Sequence, residues 1–302
     1  MAYYSIKDIE QLTGIRSHTL RIWERRYEVS AAKRTDTNIR VYDEENLKYF
    51  LQASLLLNSG IKISKIVQMT EEERLAKIHT ISQPQHVNLQ DFYINQLILA
   101  MIEMDEILFH KTVQASFEEQ GVENTMFHVI FPFLDRVGLM WLLNTVNPAQ
   151  EHFISNLIRQ KIVSAIDILP CAPIQSEQKF LLFLPEEELH EITLLFLNYM
   201  LRSRGYSTLY LGQNMPLSDV QEALKSYRAT YIFSIITAYS PKQLADLFEK
   251  MAGFPEQYKL VMAGRAILEM NPHEYPRFTF LYGGKAVIDW LHETFSEEME
   301  NG

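Results

Sequence analysis

Cysteine is almost missing from this chain: Cys171 is the only one in 302 residues. That excludes an internal disulfide and a cysteine-ligated zinc site, and it fits a reducing, cytoplasmic setting. No stretch of about 18 apolar residues is available to cross a membrane. The opening MAYYSIKDIE lacks a basic segment followed by an apolar core, so no signal peptide is expected. Two motif fragments lack the residues that would complete them. Gly283-Gly284-Lys285 is without the spacing of a phosphate loop and reads as a glycine turn into a helix. After His190-Glu191, Leu194 stands where a zinc-protease helix places its second histidine. Basic residues are in deficit, 28 against 38 acidic, for a net charge of −10.

The deficit is not uniform. Residues 1–42 hold eight Lys or Arg against five acids, a local balance of +3, so the remaining 260 residues carry −13. A small basic head on an acidic body is the charge layout of a DNA-binding module attached to something else. In that head Ser5 and Asp8 predict a capped helix through Leu12, and Thr13-Gly14 a turn. Ser17 is placed to cap a second helix, His18 to Tyr27. Leu20 and Trp23 continue a buried stripe begun by Ile6, Ile9, Leu12 and Ile15, while His18, Arg21, Arg25 and Arg26 share the exposed face. Residues 31–42, AAKRTDTNIRVY, read as a basic β-hairpin wing with its turn at 35–38. A helix through Leu47, Phe50, Leu51 and Leu55 follows, broken at Ser59-Gly60.

Helix, turn, helix, wing and two helices resemble the DNA-binding domain of the MerR family. The resemblance rests on Tyr4-Ser5-Ile6, on residues 19–24 (TLRIWE), on Ile39-Arg40-Val41-Tyr42 and on Ser59-Gly60-Ile61. It implies double-stranded operator DNA as a partner, contacted by Arg21, Trp23 and Arg26, with wing contacts from Arg34, Asn38, Arg40 and Tyr42. With the exposed face of the second helix, the candidate DNA-binding set is Ser17, His18, Arg21, Trp23, Arg25, Arg26, Arg34, Asn38, Arg40 and Tyr42.

After the head, expected over 1–76, residues 77–90 are polar around Pro84 and read as a linker. Residues 91–172 carry four helical segments without strand signals, 92–102, 104–117, 122–143 and 148–169, the last capped by Asn147 with Pro148 and Gln150 following. They predict an up-down four-helix bundle. Residues 178–298 alternate strands and helices. The apolar run 180–184 is a strand buried on both faces, ended by Pro185, and further strands are expected at 208–211, 231–237, 259–263 and 278–282. The third domain is thus a doubly wound parallel α/β sheet of Rossmann-like type, with His190 in the loop leaving its first strand. Ligands of such sheets bind at that end.

Glu188-x-His190-x-x-Thr193, a strand bearing Ser234, and Ala263-Gly264 after the fourth strand resemble the cobalamin-binding domain of corrinoid proteins, with Thr193 and Ala263 standing where that family has glycine. Trp141 followed by Glu151-His152 resembles the helical cap of the cobalamin-sensing MerR regulators, the light-responsive repressors of carotenoid synthesis. These resemblances imply a non-enzymatic regulator whose body senses adenosylcobalamin or a related corrinoid. His190 would ligate the lower face of the cobalt, and Trp141, Glu151 and His152 would cover the adenosyl face. Glu188, Thr193, Ser234, Ala263 and Gly264 complete the cofactor set. Leu142 follows Trp141, so no imidazole is available there as an upper ligand, and His152 is the substitute. The body is also expected to form a homo-oligomer. Two alternatives stay open: the same head on a body that binds no corrinoid and answers another ligand or a protein partner, and a corrinoid methyl carrier.

Overall fold

The structure, a computed structural model, describes residues 4–27, 29, 33–34, 40–78, 89–142, 146–170 and 178–299. The chain divides into two compact units, 1–157 and 158–302, the division falling within one long helix.

The first unit opens with strand β1 (Tyr4–Ser5), helix α1 (Ile6–Thr13) and helix α2 (Ser17–Tyr27). Ser5 and Asp8 form the expected reciprocal cap, and Gly14, at φ 73°, turns the chain out of α1. Ser17 does not cap α2. Its hydroxyl donates instead to Glu10 and to the carbonyl of Ile6, lashing the second helix to the first. Strands β2 (Lys33–Arg34) and β3 (Arg40–Tyr42) pair antiparallel as the arms of the wing, and β1 adds to β3 on the other side, a pairing too short to show in sequence. Helices α3 (Glu44–Asn58), α4 (Ile63–Ile66) and α5 (Glu71–Ile78) complete the head.

The bundle follows with α6 (Leu89–Glu103) and α7 (Glu106–Thr125). Gly121, at φ 79° and ψ 169°, breaks α7. Ser116 and Thr125 touch across that break, Oγ to Oγ1 at 2.8 Å. Nine residues of continuous helix would hold them about 13 Å apart, so the chain reverses here. The third helix then runs through a π turn (Met126–Ile130) into α8 (Phe131–Leu142), and α9 (Pro148–Asp167) is the fourth. Asn147 and Gln150 exchange the expected cap bonds, 2.9 and 3.1 Å. Of the expected linker, residues 79–88 lie outside the described residues; Lys77 and Ile78 end α5, and Leu89 and Gln90 start α6.

The second unit is a five-stranded parallel sheet in the order β5-β4-β6-β7-β8, with the strands β4 (Lys179–Pro185), β5 (Ser207–Met215), β6 (Tyr231–Ile235), β7 (Lys259–Ala263) and β8 (Phe278–Leu281). Helices α10 (Glu191–Ser203), α11 (Leu217–Ser226), α12 (Pro241–Ala252) and α13 (Gly284–Met299) connect and follow them. Phe180 to Leu184 are wholly buried, as a central strand of a covered sheet requires. The order 2-1-3-4-5 puts the topological switch between β4 and β6, where such sheets bind ligands. Two strand ends differ from expectation. β5 continues past Leu211 to Met215 because Gly212 (φ 80°) and Asn214 (φ 58°) absorb register shifts that sequence reads as a turn. β6 stops at Ile235, and the amides of Thr237 and Ala238 leave the ladder for a side chain described below. Among the described residues no helix is long and apolar enough to cross a membrane.

Candidate functional site

The loop after β4 is built around a buried carboxylate. Glu188 has no exposure, yet it accepts four hydrogen bonds: from the Thr237 and Ala238 amides at 2.7 and 3.1 Å, from the His190 amide at 3.1 Å, and from His190 Nδ1 at 2.5 Å. Burial pushes such a group up. The imidazole and the three amide donors more than reverse this and hold Glu188 at about 2. An ionised carboxylate only accepts, so Nδ1 carries a proton, and in the neutral ring the lone pair lies on Nε2. The His190 side chain is 58% exposed. Glu188 thus spans the switch point, tied to the loop after β6 and presenting an imidazole of fixed tautomer above the strand ends.

Backbone strain marks the same loop. Glu187 is left-handed at φ 68°, and its amide donates to Asn214 Oδ1 at 3.0 Å, Asn214 being left-handed as well. Leu189 in this loop, and Leu268 and Tyr282 in the segments that follow β7 and β8, are exposed apolar residues. Ser234 is fully buried in β6, its Oγ without a hydrogen-bond partner. Thr193 is exposed on the first turn of α10, Ala263 is 4% exposed, and Gly264, at φ 110°, has no room for a side chain: a Cβ would lie 2.2 Å from the Ile236 carbonyl oxygen.

In the first unit Trp141 ends the third bundle helix, 43% exposed, and Glu151 and His152 stand on the first turn of the fourth, His152 Nδ1 lying 3.6 Å from Glu151. Gln150 Nε2 donates to the carbonyl of Ile102 at 3.3 Å, so the start of α9 lies beside the end of α6. Met104 and Ile107, both exposed, belong to the same end. Trp141, Glu151 and His152 therefore share one end of the bundle with an exposed apolar surface. Among the described residues no cluster of three or more His, Cys, Asp or Glu could hold a metal by itself.

On the head, His18, Arg21, Arg25 and Arg26 are exposed along α2. Trp23 is in the core, 7% exposed, and Tyr42 is wholly buried. Tyr42 donates to Glu24 Oε1 at 2.5 Å and Arg40 to Glu24 Oε2 at 3.0 Å, so both tie the wing to α2. Burial, with the Glu24 contact, raises the Tyr42 phenol well above its ordinary value and keeps it a donor. Arg34 lies in β2 and Asn38 outside the described residues.

Residues 4–73 match the family model described as "MerR HTH family regulatory protein", and residues 93–163 match the one described as "B12 binding domain". This chain joins a MerR-type head to a B12-binding domain. The HTH-type transcriptional repressor CarH of Myxococcus xanthus is 27% identical over 262 residues, 82% of this chain and 84% of that protein. Repressor CarA of the same organism is 27% identical over 262 residues, 86% and 85% of the two chains. The solved monomethylamine corrinoid protein of Methanosarcina barkeri covers 70% of this chain and 96% of its own at a TM-score of 0.48 and 14% identity.

Three groups in the head and the body escape sequence reasoning. Glu24 is the hub of the wing, but an acid on a basic helix gives no sign of it. Glu191, next to His190, is buried and receives Tyr210 Oη at 2.8 Å and Arg159 Nε at 2.7 Å, partners far apart in sequence. Asn95 is buried in α6, and here a signal existed: Asn95-Gln96 interrupts an otherwise apolar run.

Proposed function

We propose that this chain is a one-component transcription regulator that binds operator DNA through α2 and the wing and senses a corrinoid, adenosylcobalamin, through its body. The Glu188–His190 pair at the switch point carries the reading. A carboxylate fixing the tautomer of an exposed imidazole is the support that metal-ligating histidines use. The orphaned Ser234 hydroxyl, in β6, is a buried polar atom that would donate a hydrogen bond to, or accept one from, a bound corrinoid. His190 Nε2 would hold the cobalt of a corrinoid, which when bound would supply the metal centre that carries the adenosyl group. Glu188 would orient that imidazole, and Gly264 keeps the loops after β6 and β7 packed together. Trp141, Glu151 and His152 would be the bundle residues that meet an adenosyl group. His18, Arg21, Arg25 and Arg26 contact DNA phosphates and groove, with Arg34 and Asn38 from the wing. The protein is cytoplasmic and acts as a regulator, not a methyl carrier. Homo-oligomers formed through the body present two heads to a palindromic operator, so ligand-controlled assembly sets DNA affinity.

The test is a visible spectrum of the protein peak after gel filtration with adenosylcobalamin in the dark, beside His190→Ala. The wild type is expected to carry corrinoid absorbance, with the axial-ligand band shifted or lost in the variant. A colourless wild-type peak overturns the reading.

A further inference from the structure

The head and the bundle share a partly buried polar network. α1 ends at Thr13, so its last carbonyls have no partner within the helix. The bundle supplies the partners. Arg136, on α8, donates through one terminal nitrogen to the carbonyl of Leu12 at 3.3 Å and to Asn95 Oδ1 at 3.0 Å, and through the other to Asp91 at 2.6 Å. Asn95, 2% exposed on α6, donates to the Thr13 carbonyl at 3.2 Å, and Ser54 of α3 donates to the same oxygen at 2.9 Å. A guanidinium at a helix C-terminus is also favoured by the helix dipole. The turn that follows, Gly14 to Arg16, carries the recognition helix, so these donors fix where α2 points while its basic face stays exposed.

Arg136 shares α8 with Trp141, five residues and about 7.5 Å of helix rise away. We propose that Arg136 is a positioning residue for DNA binding: it couples the helix that bears the cap tryptophan to the turn that carries the recognition helix. Displacement of α8 when a ligand seats against Trp141 moves the guanidinium, and with it the end of α1. The positioning half stands on the hydrogen bonds alone; the coupling half rests on the corrinoid reading above.

The test is amide hydrogen exchange on the full-length chain, wild type, Arg136→Ala and Arg136→Lys, each with and without adenosylcobalamin in the dark. Hydrogen bonds to a charged group of this kind correspond to about ten- to a hundredfold in a local opening equilibrium. Exchange at Gly14, Ile15 and the first turn of α2 is therefore expected to quicken by that factor in Arg136→Ala. Amides of α7 and α9 are expected to keep their wild-type rates, and Arg136→Lys, which retains the charge, to recover part of the protection. Unchanged exchange at the turn, or a uniform rise through the unit, overturns the positioning role. Corrinoid is expected to alter exchange at this turn in the wild type and not in Arg136→Ala. Corrinoid absorbance in the wild type without any change at the turn overturns the coupling. Absence of corrinoid absorbance overturns the proposed function instead, and the ligand-free comparison still decides the positioning role.

Discussion

Glu188→Gln probes the candidate site without any ligand. Folded, the carboxylate sits at about 2; in an unfolded chain a glutamate titrates near 4.3. The difference, a little over 2 pH units, corresponds to about 3 kcal/mol at about 1.36 kcal/mol per unit. Because the folded value is the lower one, this stabilisation is complete above about pH 5 and is lost as the pH falls from about 4.3 toward 2. Glutamine has no such titration, and one of its hydrogen-bonding edges is a donor facing the Thr237, Ala238 and His190 amides. At pH 7 the variant is expected to be less stable by about 3 kcal/mol. For a unit of about this size that lowers the melting temperature by about 6–12 °C. The assay is thermal unfolding of both proteins at pH 7, 5 and 3. The gap should be widest at pH 7 and shrink at pH 3, since only the wild type loses the carboxylate term. Equal melting at pH 7, or a gap that widens on acidification, refutes the account of Glu188. The same variant should bind corrinoid about 10- to 100-fold more weakly, as loss of an outer partner of a metal-bound histidine does.

Four further outcomes follow. Ser234→Ala removes a buried hydroxyl without a partner and should raise the ligand-free denaturation midpoint, by about 1 kcal/mol in stability, while weakening corrinoid retention; a lower midpoint would show a partner for that hydroxyl. Gly264→Ala forces a Cβ onto the Ile236 carbonyl at φ 110° and should cost several kcal/mol, read as loss of cooperative unfolding in the second unit; wild-type melting would refute it. Glu24→Ala releases Arg40 and Tyr42 together and should lower DNA affinity about tenfold, although the residue removed is an acid; titration of duplex DNA by anisotropy measures it, and tighter binding would mean that simple charge outweighs wing geometry. DNA affinity of the wild type should fall steeply between about 50 and 200 mM salt, and a flat salt profile would exclude phosphate contacts by α2.

The legible parts of the fold were those written by local chemistry. The reciprocal caps at Ser5 and Asn147, the glycine turn at Gly14 and the doubly buried strand 180–184 all depend on residues within a few positions of one another. The strand-loop-helix sequence also placed His190 at the end of β4, and its pairing with Glu188 spans only two residues. Contacts made by the fold itself were out of reach. The burial of Trp23 was legible in the apolar stripe of the first two helices, but nothing local tells that Ser17 reaches back to Glu10 rather than capping α2, or that Asn214 prolongs β5 through a left-handed residue. Thr237 looked like the end of a strand because the partner of its amide, Glu188, lies some fifty residues earlier.

The positions where this chain departs from the cobalamin family's glycines are those where its own backbone accepts a side chain. Thr193 is exposed on a helical turn and is not among the residues of positive φ. Ala263 ends β7, and its carbonyl accepts the Ile236 amide at 2.8 Å, a bond that a methyl on the same residue does not obstruct. Gly264 is different. The Ile236 carbonyl that fills the place of its missing Cβ also accepts the Ala266 amide at 3.0 Å, so the loops after β6 and β7 are laced together at this point. Thr237 and Ala238, the next two residues along, hold Glu188, and Glu188 holds His190. A methyl at 264 would push on Ile236 and pass through that short chain of contacts to the imidazole, whereas a methyl at 263 or a threonine at 193 leaves it untouched. The one glycine retained of the pair is therefore the one on which the orientation of His190 depends.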